Sequence, residues 1–511
     1  MAIVKKQDSN TVGYRIAKEQ SIGVLPGSPV WEQIEPNDGG DVGSTYKTVD
    51  RNPINSSRQR KKGTIVDFDT MAGFPTDVTS SNMYNIMQGF LFANARTKNT
   101  AVLITAVNGS GVYSLSSTAG IVVGSLIWAS GFANAANNGL KVVSAVVANT
   151  SVTLSGTSVV ETPATTSTLT AVGYRTQTTA DLKIDASGVY PVLTSTSLNF
   201  TTLGLIPGEY LFIGGDNTAN QFATAANNGF KRIKSVSANA IVLDKSTTTM
   251  VTDTASGKSV DIYFGRVIKN EIDTNIVRSS YQIERTLGAP DDAQPTQIQS
   301  EYEVGCVPSE LTLNMKMADK LTAEVKFVAL RSEFRTGVQG VKSGTRPNLT
   351  EREAINNAND LEFCLLTLTP TASANPTPLL NYLTDATITI NNNIKPNKAL
   401  GILGSFELST GTLNVDIKLN GYFNDIALQS AVQNNSDATF AAGYVKANTG
   451  LIVDVPLGAL GEAKIEVKQD EPIMVPLTFQ AASGLKYDTN MNHTILFVFF
   501  DYLPTLATTL S

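Results

Sequence analysis

The stretch ELTLNMKMADKLTAEVKF, Glu310–Phe327, alternates with a period of two. Leu311, Leu313, Met315 and Met317 fall on one side, with Thr312, Asn314 and Lys316 on the other. After a turn expected at Ala318–Lys320, Leu321, Ala323, Val325 and Phe327 resume the apolar face. Successive strand side chains point to opposite faces, so this predicts two strands, each with one face on a core and one in water. The pattern recurs in TGTLNVDIKLNGYF (Thr410–Phe423, with Leu413, Val415, Ile417 and Leu419), DATITINNN (Asp385–Asn393) and EAKIEVKQD (Glu462–Asp470). Several such strands joined by hairpins make an antiparallel sandwich or barrel.

Two short helices interrupt the β pattern. In TSSNMYNIMQGFLFANA, Met83, Ile86, Met87, Phe90 and Leu91 recur at helical spacing, with Thr79 or Ser80 as N-cap. In NDIALQSAVQNN, Leu428, Ala431 and Val432 face inward, with Asn424 or Asp425 as cap. Both stripes read as faces packed on a sheet. Gly288–Pro295 and Thr336–Asp360 read as surface loops.

A repeat lies between the first helix and the later strands. AANNG occurs at Ala135–Gly139 and at Ala225–Gly229, followed by LKVVSAVVAN and FKRIKSVSAN. Apolar strands precede both copies, GSLIWASG and GEYLFIGG. Asn and Gly tolerate positive φ, so Asn137, Asn138 and Gly139, and Asn227, Asn228 and Gly229, are expected to reverse the chain between two strands. The chain therefore divides into a core part at 1–100, two homologous small β-domains at 101–175 and 176–265, and a second core part at 266–511.

The composition carries little chemistry. Of 511 residues, 16% are charged and 7% aromatic, and the net charge of −6 argues against a basic nucleic-acid-binding surface. Cys306 and Cys364 lack metal-type spacing and are expected as small buried hydrophobes in a reducing cytoplasm, a single bond between them being the alternative. The start, MAIVKKQDSN, lacks a signal-peptide core. TILFVFFDYL is too short to span a bilayer and reads as a buried strand. The single histidine, His493, is expected at a surface or strand end, without a triad or metal partner. SGKS at Ser256–Ser259 lacks the earlier Gly of a phosphate loop, and GGDNTAN at Gly214–Asn220 lacks the ligands of a calcium loop. No catalytic, metal or cofactor site is expected, and the chain is not expected to be an enzyme. The basic run RQRKK, with Arg58, Gln59, Arg60, Lys61 and Lys62, lacks interleaved aromatics, and contacts with a neighbouring subunit suit it better than nucleic acid.

YRIAKEQSIGVLPGSPVWEQI, RNPINSSRQRKKGTIVDFDTM and SNMYNIMQGFLFAN together resemble the opening of the tail tube (major tail) proteins of long, non-contractile phage tails. The resemblance rests on Glu19, Gly23 and Pro26 ahead of Trp31, on a loop carrying Arg51, Arg58 and Gln59, and on the helix that follows. YEVGCVPSELTLNMKMADKLTAEVKFVAL, FNDIALQSAV and VPLTFQA resemble the later strands and second helix. The resemblance spans residues 14–96 and 266–503, with the repeats as an insertion.

It implies an antiparallel sandwich or barrel with two short helices, assembled as homohexameric rings stacked into a tube in the virion tail, after synthesis in the host cytoplasm. Double-stranded DNA would pass through the lumen without sequence specificity. Partners would be the chain itself and the tape measure, distal tail and terminator proteins. Candidate lumen residues are Asp67, Asp69, Thr412, Asn414, Asp416, Lys418, Glu462, Lys464 and Glu466; the candidate inter-subunit loop carries Arg51, Arg58, Gln59, Arg60, Lys61 and Lys62. The inserted domains would lie outside the tube, adding ring contacts or weak host-surface attachment. Another ring-forming tail protein, distal tail or terminator, is the nearest alternative. A cell-surface or carbohydrate-binding β-protein is the next, and would need exposed aromatics at Trp128 and Phe212.

Overall fold

In the computed structural model the chain is described over residues 7–508, except 55, 57–58, 97–101, 165, 291–292, 350–351, 370–374 and 381. From the N-terminus come β1 (Gly13–Lys18), β2 (Asp41–Arg51), β3 (Lys61–Asp77) and α1 (Met83–Phe90). The repeat region contributes β4 (Ser125–Ser130), β5 (Gly139–Val147), β6 (Thr168–Arg175), β7 (Tyr210–Ile213), β8 (Gly229–Val236) and β9 (Asp261–Phe264). There follow β10 (Tyr281–Thr286), β11 (Ser300–Lys316), β12 (Thr322–Ala329), β13 (Arg331–Arg335), β14 (Leu361–Leu368), β15 (Leu383–Asn391) and β16 (Asn414–Tyr422). Last come α2 (Ala427–Gln433), β17 (Asp437–Lys446), β18 (Thr449–Gly461), β19 (Met474–Ala482) and β20 (Leu496–Phe500). Shorter strands and single turns fill the intervals. Every ladder of known register is antiparallel, and the fold is mainly β and sandwich-like. Two units divide the chain: one holds residues up to Ala93, Asp273–Asn357 and Asp385–Lys418, the other Asn94–Ile272, Ala358–Thr384 and Leu419–Ser511.

In the first unit β11 serves two sheets. Its N-terminal half pairs with β10 and β13, its C-terminal half with β12 and β15. Every residue from Ser300 to Pro308 is buried; beyond it only Leu311, Leu313 and Met315 are, in alternation. Between the halves Gly305 takes φ 71°, Pro308 follows, and the register with β12 slips between Pro308 and Glu310. A glycine at positive φ and a proline beside a bulge bend a strand from one sheet into another. The side chain of Leu330 fills the space beside Gly305, 2.8 Å from where a Cβ would stand.

Glu19 pins this bend. Its carboxylate accepts from the Gly305 N–H at 3.1 Å, Gln282 Nε2 at 2.9 Å, Ser280 Oγ at 2.5 Å and the Gly23 N–H at 2.8 Å. The Glu19…Gly23 spacing thus joins the turn after β1 to β10 and β11. Trp31 is fully buried, donates from Nε1 to the Ser343 carbonyl at 3.0 Å, and meets Tyr302 edge-on. Helix α1 buries Met83, Ile86, Met87 and Phe90, with Phe90 5.5 Å from Phe327. Leu91 is buried beyond its end. The helix starts later than the capping signal suggested. Thr79 Oγ1 accepts from the Ser81 and Asn82 N–H groups, closing a turn ahead of Met83. Met317 also departs from expectation: it is 68% exposed, because β11 ends at Lys316 and Met317 already lies in the turn, ahead of Ala318 at φ 58°.

In the second unit β18 behaves like β11. Leu451 to Gly458 are buried without a break; β20 pairs with its first half, β19 with its last residues, and β17 runs along the other side. In α2 Leu428 and Ala431 are buried, and Asp425 Oδ1 accepts from the Ala427 N–H at 2.7 Å. Of the expected strand in EAKIEVKQD, one isolated bridge remains, Glu466 to Met474. Ile465 and Val467 are exposed. Glu462 at φ 56° breaks the extended run, and no apolar layer covers its faces.

Both repeats form the expected hairpins, β4 with β5 and β7 with β8, and pair with each other through β6 and β9. The shared pentapeptide has a structural cause. Gly139 and Gly229 both take φ 97°, whereas Asn138 and Asn228 stay at negative φ. The asparagines act through their side chains. Asn138 Oδ1 accepts from the Phe132 N–H at 3.0 Å and its Nδ2 donates to the Phe132 carbonyl at 2.8 Å; Asn228 clamps Phe222 the same way at 3.0 and 3.1 Å. Asn137 and Asn227 are fully buried and accept from the Val159 and Val251 N–H groups. Lys141 and Lys231 donate to the Ala136 and Ala226 carbonyls. The repeat therefore extends from Phe132 to Lys141 and from Phe222 to Lys231.

The same unit packs repeat strands against C-terminal strands. Leu126, Tyr210, Phe212 and Phe230 share a core with Ile452, Val498 and Phe500. Arg232 is buried, forked onto Asp244 at 2.9 and 3.0 Å and bonded to Asp454 at 3.1 Å, and Tyr210 Oη donates to Asp454 at 3.0 Å. His493 is fully buried rather than at a surface: Gly208, at φ 90°, leaves room for its ring, and neither ring nitrogen has a hydrogen-bond partner. Burial, reinforced by Lys269, Arg232 and Arg96, brings its pKa down to about 3.

Three outcomes are expected. Gly305→Ala forces a Cβ into Leu330 at positive φ and costs about 2–4 kcal/mol of stability, measured by denaturant titration. Asn228→Ala leaves the buried Phe222 N–H and carbonyl unpaired and costs about 1–3 kcal/mol, with faster amide exchange at Phe222. The unfolded chain takes up a proton at His493 below about pH 6.5 that the folded chain refuses down to about pH 3. Stability is therefore fully present above pH 6.5 and falls by roughly a few kcal/mol towards pH 3; His493→Leu flattens that slope.

Candidate assembly surfaces

The β2–β3 hairpin is the first such surface. Its ladder runs from Asp41 opposite Gly73 to Arg51 opposite Lys61. Near its base Thr70, Ala72, Phe74 and Thr76 are buried, but towards the tip Tyr46, Val49, Ile65 and Val66 are each about half exposed or more. A two-stranded ribbon with uncovered apolar side chains is marginal in water and needs a cover. At the tip Arg51, Gln59, Arg60, Lys61 and Lys62 are exposed, and Arg60 ion-pairs with Asp50. Arg58 lies outside the described residues.

The second surface is the outer face of the sheet β3–β12–β11–β15–β16 in the first unit. Register fixes which residues share it. Thr312 lies opposite Glu324 and Thr389, and Asn314 opposite Thr322 and Thr387. On β16, Asn414, Asp416 and Lys418 are exposed while Val415 and Ile417 are buried, and Thr412 just ahead is exposed. By alternation from the β3–β12 ladder, Asp69 and Asp67 extend this face at the hairpin side.

Six of the nine lumen candidates thus lie along one polar face. Its charges are interspersed. Lys326 pairs with Glu310 at 2.7 Å, and Lys398 reaches Asp67 at 2.5 Å and Asp69 at 2.6 Å. The Lys398 hydrogen bond holds the Asp67 carboxyl below its usual range. Sequence reading found the edges of this face but missed its middle, Thr387, Thr389, Glu324 and Lys326, whose common orientation follows from register.

The other three candidates, Glu462, Lys464 and Glu466, lie in the second unit in the irregular segment after β18, all exposed. The repeat-turn residues hold their own hairpins together and present no site. Trp128 stacks on Tyr502 at 4.8 Å and Phe212 is buried, so neither forms an exposed platform. Both cysteines are free thiols, Cys306 buried and Cys364 half-buried. Among the described residues no helix is long and apolar enough to cross a membrane.

A family model described as phage tail tube protein matches residues 9–481. No individual curated protein matches the chain. The match covers the hairpin, both helices, the repeats and β11 through most of β19, and so nearly every element described above. The chain belongs to the phage tail tube protein family.

Proposed function

We propose that copies of this chain close into rings with six tube folds around a bore, and that the rings stack into the tail tube that conducts DNA into the host cell. The observation that carries this reading is the polar face of β12, β11, β15 and β16. Thr, Asn and mixed charges give a wet wall on which phosphates find no continuous cationic patch, so DNA can slide. Asp67, Asp69, Thr412, Asn414, Asp416 and Lys418 would face the lumen. Glu462, Lys464 and Glu466 would meet it or a neighbouring subunit.

The hairpin with Arg51, Arg58, Gln59, Arg60, Lys61 and Lys62 would cover its apolar flanks on the next subunit or ring. Obligate interfaces of this kind bury more than about 2,000 Å². The repeats, at 101–175 and 176–265, would be inserted domains on the outside of the tube, able to touch the host surface weakly. Assembly would take place in the host cytoplasm, with the tape measure, distal tail and terminator proteins as partners and no cofactor.

Negative-stain microscopy of the purified protein tests this: rings or tubes are expected, and a dispersed monomer at high concentration contradicts it. Val49→Glu with Ile65→Glu should abolish tubes while leaving the melting temperature within about 2 °C, because exposed substitutions typically cost under 0.5 kcal/mol.

A further inference from the structure

The strand pairings of this chain occur twice. In the first series, β1 pairs with β10, β2 with β3, β3 with β12, and β10 with β11. The C-terminal half of β11 then pairs with β12 and its N-terminal half with β13. In the second series, β14 pairs with β17, β15 with β16, β16 with β19, and β17 with β18. The C-terminal end of β18 then pairs with β19 and its N-terminal half with β20. The helices hold matching places, α1 after β3 and before β10, α2 after β16 and before β17. The two long strands even share a Val-Pro pair where one partner gives way to the next, Val307-Pro308 and Val455-Pro456.

One pairing breaks the correspondence. The C-terminal half of β11 takes β15, from the second series, as its outer neighbour, from Glu310 opposite Asn391 to Lys316 opposite Asp385. Its counterpart would be β18 taking β2, and that pairing is absent among the described residues. β2 pairs with β3 alone. β17 flanks β18 only as far as Ala459; beyond it Leu460 is buried and Gly461 and Ala463 are half-buried, while Glu462 and Lys464–Val467 are exposed. That stretch alternates like a strand in sequence yet is irregular here. An open strand edge on β2, and a strand-patterned segment bridged only at Glu466–Met474 on one of its sides, are both left over among the described residues.

We propose that the chain carries two tube folds, and that β2 of one copy adds to the Leu460–Val467 segment of another, reproducing between chains the β11–β15 pairing found within one. The occupant of each open edge is a second copy of this chain, joined head to tail so that the contact closes into a ring. This rests on the ring reading above and changes its count: six tube folds require three chains, not six.

Native mass spectrometry of isolated rings decides the count. Three 54.4 kDa chains give about 163 kDa per ring. Six chains, about 326 kDa, would overturn the two-fold reading while leaving the ring. Failure to form any ring would overturn both. Ile465→Pro tests the pairing itself. Ile465 is exposed and outside any strand here, so the variant monomer should melt like the parent but form rings at least tenfold less, while Ile465→Val assembles normally. Normal ring yield from Ile465→Pro overturns strand addition at this segment. A monomer that melts lower, with its loss of rings matched by an equally destabilised Asn228→Ala chain, overturns it as well.

Discussion

The first unit depends on one strand being long enough to belong to two sheets and bent so that it can. β11 achieves this with Gly305 at positive φ, Pro308, and the Glu19 carboxylate bonded to the Gly305 N–H. Bending a strand takes backbone groups out of the regular ladder, and buried groups need replacement partners. Glu19 supplies one and at the same time anchors the turn after β1 through Gly23. The sandwich faces, the packing of α1 through Phe327 and the polar outer wall follow from where β11 turns.

Much of this was legible in the sequence. Period two in Glu310–Phe327 named the residues that are buried, apart from Met317, because the turn came one residue sooner than the pattern ran. The stripe of α1 was read in full, since a five-residue apolar set at helical spacing has few other solutions. The repeats were visible through AANNG, but the reason was misplaced. Positive φ belongs to Gly139 and Gly229 alone, and the asparagines work by clamping a phenylalanine six residues earlier. Sequence spacing can suggest such a bond but does not show which groups lie within reach.

Two readings failed because they depended on what packs above a segment. His493 looked like a strand-end residue, yet Gly208 and the surrounding strands enclose it. The strand pattern of Glu462–Asp470 finds only one bridge, Glu466 to Met474, among the described residues. Likewise the polar wall could be seen only in pieces, since the register that aligns Thr312, Thr389 and Glu324 is a property of ladders and not of any one strand. In the second unit the charged cluster of Arg232, Asp244 and Asp454 had no signal at all, its members being scattered along the chain.

These features describe a building block: a rigid bent-strand core, one polar sheet face, and strand edges left open. The most direct measurement is a cryo-electron microscopy reconstruction of the assembled tube, at a resolution that traces strands. The account predicts that the face carrying Thr312, Thr389 and Asp416 lines the bore and that β2 is hydrogen-bonded to a neighbouring copy. A bore lined by other residues, with β2 left unpaired or solvent-facing, would contradict it.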